Sequence, residues 1–306
     1  MVRSLTTPTV RPAPATDVES DLELQLDGPA AAFQAEASPG HPAAPHGLAL
    51  DIGSATSVGR IRQRNEDSLL VQHQRCANLD RHYELALVAV ADGMGGYEAG
   101  DRASALVVCQ LGEAFAPLLA RALTQDVTPE DIVSFLDKAI KSANAAVLQQ
   151  AQADPHCQGM GATLAAVVIS DDEVRVGHVG DCRVYHIRAG ELKQVTRDQT
   201  LVARMVELGT LTPEEARRHP QRNEVTQAVG KHADIRPARY RLQLRSGDWL
   251  LVASDGLHAH VDEPALLTAV LESTNPASLA QHLVSLADQG GGSDNCTVVA
   301  IVAGEG

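Results

Sequence analysis

Four aspartates stand at the ends of apolar, strand-like runs that lie far apart in the chain: Asp92, Asp181, Asp255 and Asp294. Three of them are adjacent to a glycine. A carboxylate at the end of a buried strand costs free energy unless a charge or hydrogen bonds compensate it. Because the arrangement occurs four times, we expect the strand ends to converge on a cation. Oxygen ligands with few histidines or cysteines nearby favour Mg²⁺ or Mn²⁺ over zinc.

The composition is typical of a globular domain with an acidic surface. The chain has 306 residues, of which 44% are hydrophobic and only 3% are aromatic, so the core must consist mainly of aliphatic side chains. The net charge of −14 argues against a nucleic-acid partner, which needs a basic surface. Small phosphorylated groups remain compatible with this charge, because a metal site neutralises them locally.

Cysteine usage and hydropathy predict a cytoplasmic protein. The five cysteines are scattered and form no CxxC pair, which is typical of free thiols in a reducing compartment rather than of disulfides or a zinc site. The first fifteen residues lack a hydrophobic signal core, and no apolar stretch approaches the length of a membrane span. We therefore expect neither secretion nor membrane association.

Residues 1–45 differ in composition from the rest of the chain. They are rich in proline and alanine and carry more acidic than basic residues, which predicts a disordered acidic tail. The short alternation at 22–26 leaves open a docked helix or strand in this tail. A single domain is expected over 46–306.

The elements that must position the aspartates follow from the hydrophobic pattern. Six runs have the length and pattern of strands: 85–90, 162–169, 174–179, 183–187, 249–253 and 297–302. Four segments have helical patterns: 101–121, 129–151, 261–272 and 276–289. The runs 174–179 and 183–187 are predicted to pair as a half-buried hairpin. Because strict alternation of strands and helices is missing, we expect antiparallel sheets covered by helices, an α+β layered domain.

A charged segment between the predicted elements contains three arginines followed by an acidic pair. Arg60, Arg62 and Arg64 precede Glu66 and Asp67. An arginine binds a phosphate dianion bidentately and keeps its charge at any physiological pH. The alternative is an ordinary charged loop between two strands.

Several motifs occur in a fixed order along the chain. They are Asp92-Gly93-Met94-Gly95-Gly96, 159–164, 178–183, 198–201 with 219–222, Ser254-Asp255-Gly256 and Ser293-Asp294-Asn295. With the charged segment, this set resembles the signature of the metal-dependent PPM, or PP2C-type, Ser/Thr protein phosphatases, and in particular their bacterial branch. The resemblance covers about residues 47–303. It implies a four-layer αββα fold, a central antiparallel β-sandwich flanked by helix pairs, and hydrolysis of phosphoserine and phosphothreonine.

The resemblance also implies a metal-binding role for each of the aspartates. Asp92 is expected to bridge two Mn²⁺ or Mg²⁺ ions, and the Gly93 carbonyl to bind one of them. Asp255 and Asp294 are expected to complete the shell of the other ion. Asp181, together with Asp255, matches the position of a weaker third ion in bacterial relatives, and its alternative is a turn aspartate of the predicted hairpin.

The charged segment receives its roles from the same resemblance. Arg62 matches the arginine that clamps the phosphate, and Asp67 matches the acidic residue that orients the attacking water. The resemblance implies that Glu66 contacts groups that bind the ions and does not bind an ion itself. Arg60 and Arg64 are interpreted as surface charges. Two ions lower the pKa of a water between them and so supply the nucleophile for attack on phosphorus.

Other positions depart from the pattern or extend it. Residues 197–222 resemble the flap beside the active site. Met94 stands where some relatives have a histidine and cannot donate a proton, and His258 and His260 are alternative donors or simply surface histidines. Cys182 stands where serine is usual, and an inert buried thiol is expected there.

The sequence leaves two other functions open. One is a binding module that keeps this fold but has lost its chemistry, and the other is a metal phosphohydrolase of small phosphate esters or nucleotides. The intact set of aspartates and Arg62 favours a protein phosphatase. Its expected partners are phosphorylated proteins, including a cognate Ser/Thr kinase and that kinase's substrates, and the expected state is a monomer.

Overall fold

Ten strands form the framework of the part of the chain that the computed structural model describes, residues 48–77, 82–95 and 99–305. In chain order they are β1 Leu48–Ser57, β2 Asp67–Ala77, β3 His82–Met94, β4 Gly161–Ser170, β5 Glu173–Val179, β6 Arg183–Arg188, β7 Glu191–Gln194, β8 Ala238–Gln243, β9 Trp249–Ala253 and β10 Cys296–Glu305. These residues belong to one compact unit, Ala35–Gly306. The tail predicted for residues 1–45 lies outside the described residues.

The strands form two five-stranded sheets in which all pairs are antiparallel. One sheet has the order β1-β10-β9-β6-β7 and the other has the order β2-β3-β4-β5-β8. Seven α-helices accompany them in the described ranges: α1 Ala99–Ala122, α2 Pro129–Ala153, α3 Leu201–Glu207, α4 Pro213–Arg218, α5 Asp255–His258, α6 Glu263–Leu271 and α7 Pro276–Gln289.

Three hydrophobic cores lie between the four layers of the fold. One strand contributes to two cores, because its side chains alternate between its two faces. On β3, Leu85 and Leu87 contribute to a core shared with α1 and α2, whereas Ala86 and Val88 contribute to a core shared with the other sheet. The third core lies between the β1-β10-β9-β6-β7 sheet and the helices α5 to α7. Because successive strand side chains point to opposite faces, a continuous apolar run serves two cores at once. The prediction of a four-layer αββα sandwich is confirmed.

The helix starts follow the signals read in the sequence. Thr128 accepts a hydrogen bond from the N–H of Asp131, which in turn binds the Thr128 N–H, and this capping box starts α2. Asn275 accepts from the N–H of Ser278 at the start of α7. Helix α6 starts at Glu263 after the cap residue Asp262, two residues later than predicted.

Helix α1 departs from the expectation that no stretch has the length of a membrane span. By length and composition alone, α1 is the one helix of the described ranges that is long and apolar enough to cross a membrane. Its residues Val107, Leu111 and Phe115 are fully buried in the core beneath the β2-β3-β4-β5-β8 sheet. Packing in that core accounts for these apolar residues of the helix.

The predicted hairpin of residues 174–179 and 183–187 is wrong. These residues form β5 and β6, but β5 pairs with β4 and β8 whereas β6 pairs with β7 and β9. Residues 180–182 carry the chain from one sheet to the other. Alternation shows which face of a strand is buried and does not identify the neighbouring strand. Asp181 therefore lies on a crossing between sheets, not at a hairpin tip.

Candidate metal centre

Two carboxylates face each other where β2 begins and β3 ends. Asp67 is the first residue of β2 and is the direct register partner of Asp92 on β3. Like charges opposite each other on neighbouring strands are destabilising. The hydroxyl of Ser254 donates to Asp67 Oδ2 over 2.7 Å. Ser254 precedes α5 as its cap residue but makes no side-chain capping bond, so its hydroxyl holds Asp67 instead.

A close backbone approach brings the Asp255 and Asp294 turns together. Asp255 is the first residue of α5 and lies two residues after the end of β9, and Asp294 lies two residues before the start of β10. A Cβ on Gly256 would collide with the carbonyl oxygen of Asn295. Glycine is therefore required at this position for the two turns to pack.

Glycine is also required beside Asp92. The N–H of Gly93 donates to the Glu66 carbonyl oxygen over 3.0 Å. A Cβ on Gly93 would collide with the carbonyl of Gly100, near the start of α1, and would lie 2.6 Å from the Glu66 carbonyl oxygen. The charged segment, the end of β3 and the start of α1 thus meet at Gly93.

Electrostatics show that the predicted aspartates share one region. Burial, followed by repulsion from Asp255, Asp67, Asp181 and Asp294, raises the pKa of Asp92 well above its ordinary value. Burial and neighbouring carboxylates also raise the pKa of Asp67 to about 7, of Asp181 to about 8 and of Asp255 to about 6. Such shifts arise where acidic groups crowd together without enough positive charge, and they often mark functional sites.

Two carboxylate oxygens without hydrogen-bond partners also point to a site for a cation. Oδ1 of Asp67 and Oδ1 of Asp255 are inaccessible to solvent and have no hydrogen-bond partner, although both residues are partly exposed. Among the residues that the structure describes, no three His, Cys, Asp or Glu side chains are arranged to hold one ion. Hard divalent ions such as Mg²⁺ retain several waters and take only one or two carboxylates each. The all-oxygen donor set therefore fits such ions when the carboxylates are shared between them.

Arg62 lies at the edge of this acidic cluster. Its Nη2 donates to Asp294 Oδ2 over 2.8 Å, and its Nη1 lies 3.9 Å from Glu66 Oε2. The Arg62 side chain is 47% exposed, which leaves part of the guanidinium open to a ligand from solvent. Burial raises the pKa of Glu66, and the charges of Asp101 and Asp294 add to this effect.

Asn295 organises the charged segment, and sequence reasoning gave it no role of its own. Its Nδ2 donates to the carbonyls of Val58 and Arg64, at 2.9 and 2.8 Å, and its Oδ1 accepts from the N–H of Glu66 over 2.8 Å. Asn295 is buried, with 4% of its surface exposed. The residue thus fixes the loop that carries Arg62. The available signal was an asparagine between Asp294 and the apolar run 297–302.

The two histidines considered as proton donors, His258 and His260, and the cysteine at position 182 have different surroundings. Nε2 of His260 lies 3.1 Å from the backbone nitrogen of Ser293 and 2.9 Å from the Ser293 hydroxyl. Burial lowers the pKa of His258 to about 3, and the ring is neutral. Burial also raises the pKa of Cys182 well above its usual range, as expected for an inert buried thiol.

The structure brings all eight predicted site residues into one region. They are Arg62, Glu66, Asp67, Asp92, Gly93, Asp181, Asp255 and Asp294. A sequence model of the family described as Protein phosphatase 2C matches residues 60–288, about three quarters of the chain. The chain belongs to this family, and the resemblance inferred from the motifs is confirmed.

Bacterial relatives agree with this assignment. The chain is 36% identical over 252 residues to the serine/threonine protein phosphatase PstP of Mycobacterium tuberculosis, covering 82% of this chain and 45% of PstP. It is 34% identical to the protein phosphatase PhpP of Streptococcus pneumoniae, covering 84% of this chain and 98% of PhpP. It therefore spans less than half the length of PstP.

A solved structure carries the metals that the site's chemistry calls for. The catalytic domain of PstP in complex with two manganese ions is similar to this chain with a TM-score of 0.70 and 34% identity, covering 84% of this chain and 99% of that domain. The manganese ions belong to that protein. The likeness shows that this chain has the fold of a phosphatase domain known to hold two ions.

Proposed function

We propose that this protein is a metal-dependent protein phosphatase that hydrolyses phosphoserine and phosphothreonine. The main supporting observation is the group of carboxylates around Asp92, whose pKa values are raised by burial and then by mutual repulsion, next to an arginine suited to phosphate. Membership of the protein phosphatase 2C family supports the reaction class. A structural ion site would not need a partly exposed guanidinium at its edge.

Each predicted residue receives a role in this proposal. Asp92 and the Gly93 carbonyl bind the two core ions, and Asp255 and Asp294 complete the shell of one of them. Asp181 binds a weaker third ion. When bound, Mn²⁺ or Mg²⁺ supplies the Lewis acidity that activates water for attack on phosphorus. Carboxylate and carbonyl oxygens suit Mg²⁺ and Mn²⁺ alike, so both ions are candidates for the core site.

The chain's own residues orient the reactants. Asp67, held by the Ser254 hydroxyl, orients the attacking water. Arg62 binds the phosphate oxygens that are not transferred. Glu66 lies 3.9 Å from Arg62 and steadies that guanidinium. Residues 197–222, the flap, shape the approach of a protein substrate.

The proposal extends to partners and location. The substrates are phosphorylated proteins, among them those of a cognate Ser/Thr kinase, and the protein acts as a cytoplasmic monomer. The similarity to PstP and PhpP, which are protein phosphatases, supports this substrate class. The acidic charge of −14 disfavours nucleic acid as a substrate.

The test is Mn²⁺-dependent hydrolysis of p-nitrophenyl phosphate and of a phosphothreonine peptide by the purified protein and by its Asp255→Asn variant. We expect turnover that the substitution abolishes. The matched control is Asp262→Asn at the exposed cap of α6, where asparagine caps as well as aspartate. Absence of turnover at every metal concentration would mean an inactive binding module. Preference for nucleotides over the peptide would favour a small-ester phosphohydrolase.

A further inference from the structure

Exposed apolar side chains are concentrated where the charged segment begins. The large apolar residues that are exposed within the described ranges are Val58, Ile61, Leu123, Leu208 and Leu271. Val58 is 37% exposed and Ile61, at 70%, is the most exposed of the five. Single exposed apolar side chains are common on protein surfaces. This pair differs in its position, because Ile61 directly precedes Arg62, whose guanidinium reaches the acidic cluster.

Hydrogen bonds fix the backbone that carries this apolar pair. Asn295 Nδ2 donates to the carbonyl oxygens of Val58 and Arg64, at 2.9 and 2.8 Å. Between these two points, the Arg60 N–H donates to the carbonyl oxygen of Gly292, in the turn before β10, over 2.7 Å. The loop is therefore held at both ends and in its middle. A surface that is already formed before a ligand arrives pays little conformational entropy on binding.

The same loop lies directly against the residues of the proposed phosphate site. A Cβ on Gly59, between Val58 and Ile61, would lie 2.3 Å from the Asp294 carbonyl oxygen, so the two backbones are in contact. The Asp294 side chain in turn accepts from Arg62 Nη2 over 2.8 Å. The exposed apolar pair and the arginine suited to phosphate thus belong to one rigid edge of the acidic cluster.

The charge of this edge indicates what covers the apolar pair. Residues 58–64 contain three arginines and no acidic residue, in a chain whose net charge is −14. The side chains of Arg62 and Arg64 are 47% and 54% exposed. A cationic surface attracts an anionic partner, and exposed apolar side chains favour a partner that buries them. A phosphorylated peptide with an apolar residue beside its phosphorylated residue has both properties.

We propose that Ile61, with Val58 beside it, contacts the substrate side chains next to the phosphorylated residue and gives the phosphatase a preference for apolar residues there. Consecutive Cα atoms are about 3.8 Å apart, in the enzyme loop and in the substrate alike. A substrate whose phosphate binds Arg62 therefore brings the residues within about two positions of its phosphorylated residue to Ile61. The inference rests on the proposed role of Arg62 in the phosphatase.

The test uses the full chain and pairs of phosphothreonine peptides in a background of glycine, alanine and serine. The two peptides of a pair differ only by leucine or serine at one of the two positions on either side of the phosphothreonine. The measured quantity is kcat/KM for the leucine peptide divided by kcat/KM for the serine peptide. We expect a ratio of about five at one or more of these positions, which is less than an enclosed apolar pocket gives. The difference should lie in KM rather than kcat, because the contact is the same before and during the reaction.

Variants of the exposed apolar residues assign this preference. Ile61→Ser should reduce the ratio to about one, whereas Ile61→Leu keeps a large apolar side chain and should retain it. Val58→Ser should lower the ratio by less, because Val58 is less exposed. The matched control is Leu271→Ser at the last residue of α6, which is 61% exposed and should retain the ratio. Each protein is compared with itself on two peptides, so a general change in activity cancels.

The outcomes separate this inference from the proposed function. Equal kcat/KM for the two members of every peptide pair in the unmodified protein would overturn the inference and leave the proposed function intact. A preference for leucine that persists in Ile61→Ser, or that Leu271→Ser abolishes to the same degree, would also overturn the inference alone. Failure of the unmodified protein to hydrolyse any of the phosphopeptides would overturn the proposed function, and the inference with it.

Discussion

Two sets of buried carboxylates in this molecule have opposite electrostatic environments. Glu84, Asp198 and Asp248 accept hydrogen bonds from basic side chains. Burial by itself raises their pKa values, but those bonds more than offset it, and each pKa lies below its ordinary value. For Asp248 the bonds come from Arg188 and His186. The charge of each of these carboxylates is compensated by the chain itself.

The second set surrounds Asp92. Burial and mutual repulsion raise the pKa values of Asp67, Asp92, Asp181 and Asp255. Helix, strand and glycine packing nevertheless hold these groups together at strand ends. The difference shows that burial alone does not determine whether a carboxylate is compensated by the chain. In the proposed function, the compensating cations of the second set are bound metal ions.

The largest effect is expected for Asp92→Asn. This substitution should stabilise the metal-free protein, whereas a substitution in the first set should destabilise it. We expect Asp92→Asn to lower kcat/KM for a phosphopeptide at least about 10³-fold, as loss of a central transition-state contact does. The same change should raise the free energy of unfolding of the metal-free protein at pH 8 by about 1–3 kcal/mol, because it removes a carboxyl group whose ionisation is opposed by burial and neighbouring charges. Urea unfolding beside steady-state kinetics measures both.

The control for that experiment is Asp262→Asn, at a solvent-facing helix cap, which should alter neither quantity. A loss of activity accompanied by a loss of metal-free stability would contradict the assignment of Asp92 to the uncompensated set. It would mean that the Asp92 carboxylate stabilises the fold through contacts within the chain.

The converse substitution in the compensated set is Asp248→Asn. Asp248 is 2% exposed and accepts from Arg188, His186 and the Arg245 N–H. Removing one partner of a buried ion pair leaves the other uncompensated, and Arg188 regains only part of its hydration. We expect the free energy of unfolding to fall by about 2–4 kcal/mol, with kcat/KM of the folded enzyme unchanged. A large loss of turnover would place Asp248 in the functional set.

Sequence patterns predicted the six inner strands of the two sheets but not the four edge strands β1, β2, β7 and β8. The run 249–253 has the bounds of β9, because a continuous apolar segment between turn residues has few alternatives. Strand β8, Ala238–Gln243, was not predicted, since charged residues interrupt its apolar positions. Strand β7, Glu191–Gln194, has only four residues and one apolar side chain. Both strands lie at sheet edges, where burial imposes the weakest pattern.

The aspartates of the site could be predicted from the sequence. The residues that form hydrogen bonds to the site's residues, Ser254 and Asn295, could not. Asp92 and Asp255 stand beside glycines at the ends of apolar runs, a costly pattern that local sequence reveals. The hydrogen bond of Ser254 to Asp67 spans 187 residues of chain, and that of Asn295 to Glu66 spans 229. Such contacts depend on how the two sheets stack. Local periodicity carries no information about that arrangement.

A change of pH tests the comparison without mutation. The raised folded-state pKa values of Asp67, at about 7, and Asp181, at about 8, mean that the folded metal-free protein holds protons that the unfolded chain has released. Stability from this source is complete below the unfolded pKa and is lost as pH rises through the folded values. We expect the free energy of unfolding to fall by about 2 kcal/mol between pH 6.5 and 8.5.

Between pH 6.5 and 8.5, the buried histidines do not contribute to this fall in the free energy of unfolding. The folded-state pKa values of His178 and His258, about 4 and about 3, lie below the unfolded value. Their contribution is therefore present above the unfolded pKa and is lost only as pH falls below about 6.5. Saturating Mn²⁺ should abolish the fall at high pH, because bound ions favour the ionised carboxylates. An equal fall with and without Mn²⁺ would show that other groups cause it.

Asp294 is intermediate between the two sets, because it belongs to the acidic cluster and also pairs with an arginine. The smallest effect is expected for a substitution of that arginine, Arg62. Arg62 Nη2 lies 2.8 Å from Asp294 Oδ2, with the Arg62 side chain 47% exposed. If this pair served stability, Arg62→Lys would change little, since partly exposed pairs contribute only about 0–1 kcal/mol. If Arg62 binds phosphate, a lysine cannot reproduce the two parallel bonds of the guanidinium. We therefore expect kcat/KM at saturating Mn²⁺ to fall about tenfold, with the unfolding free energy nearly constant. Arg64→Lys, on the same loop with a 54% exposed side chain, is the matched control and should stay within twofold, so equal losses from both variants would assign the effect to loop charge rather than to a phosphate clamp.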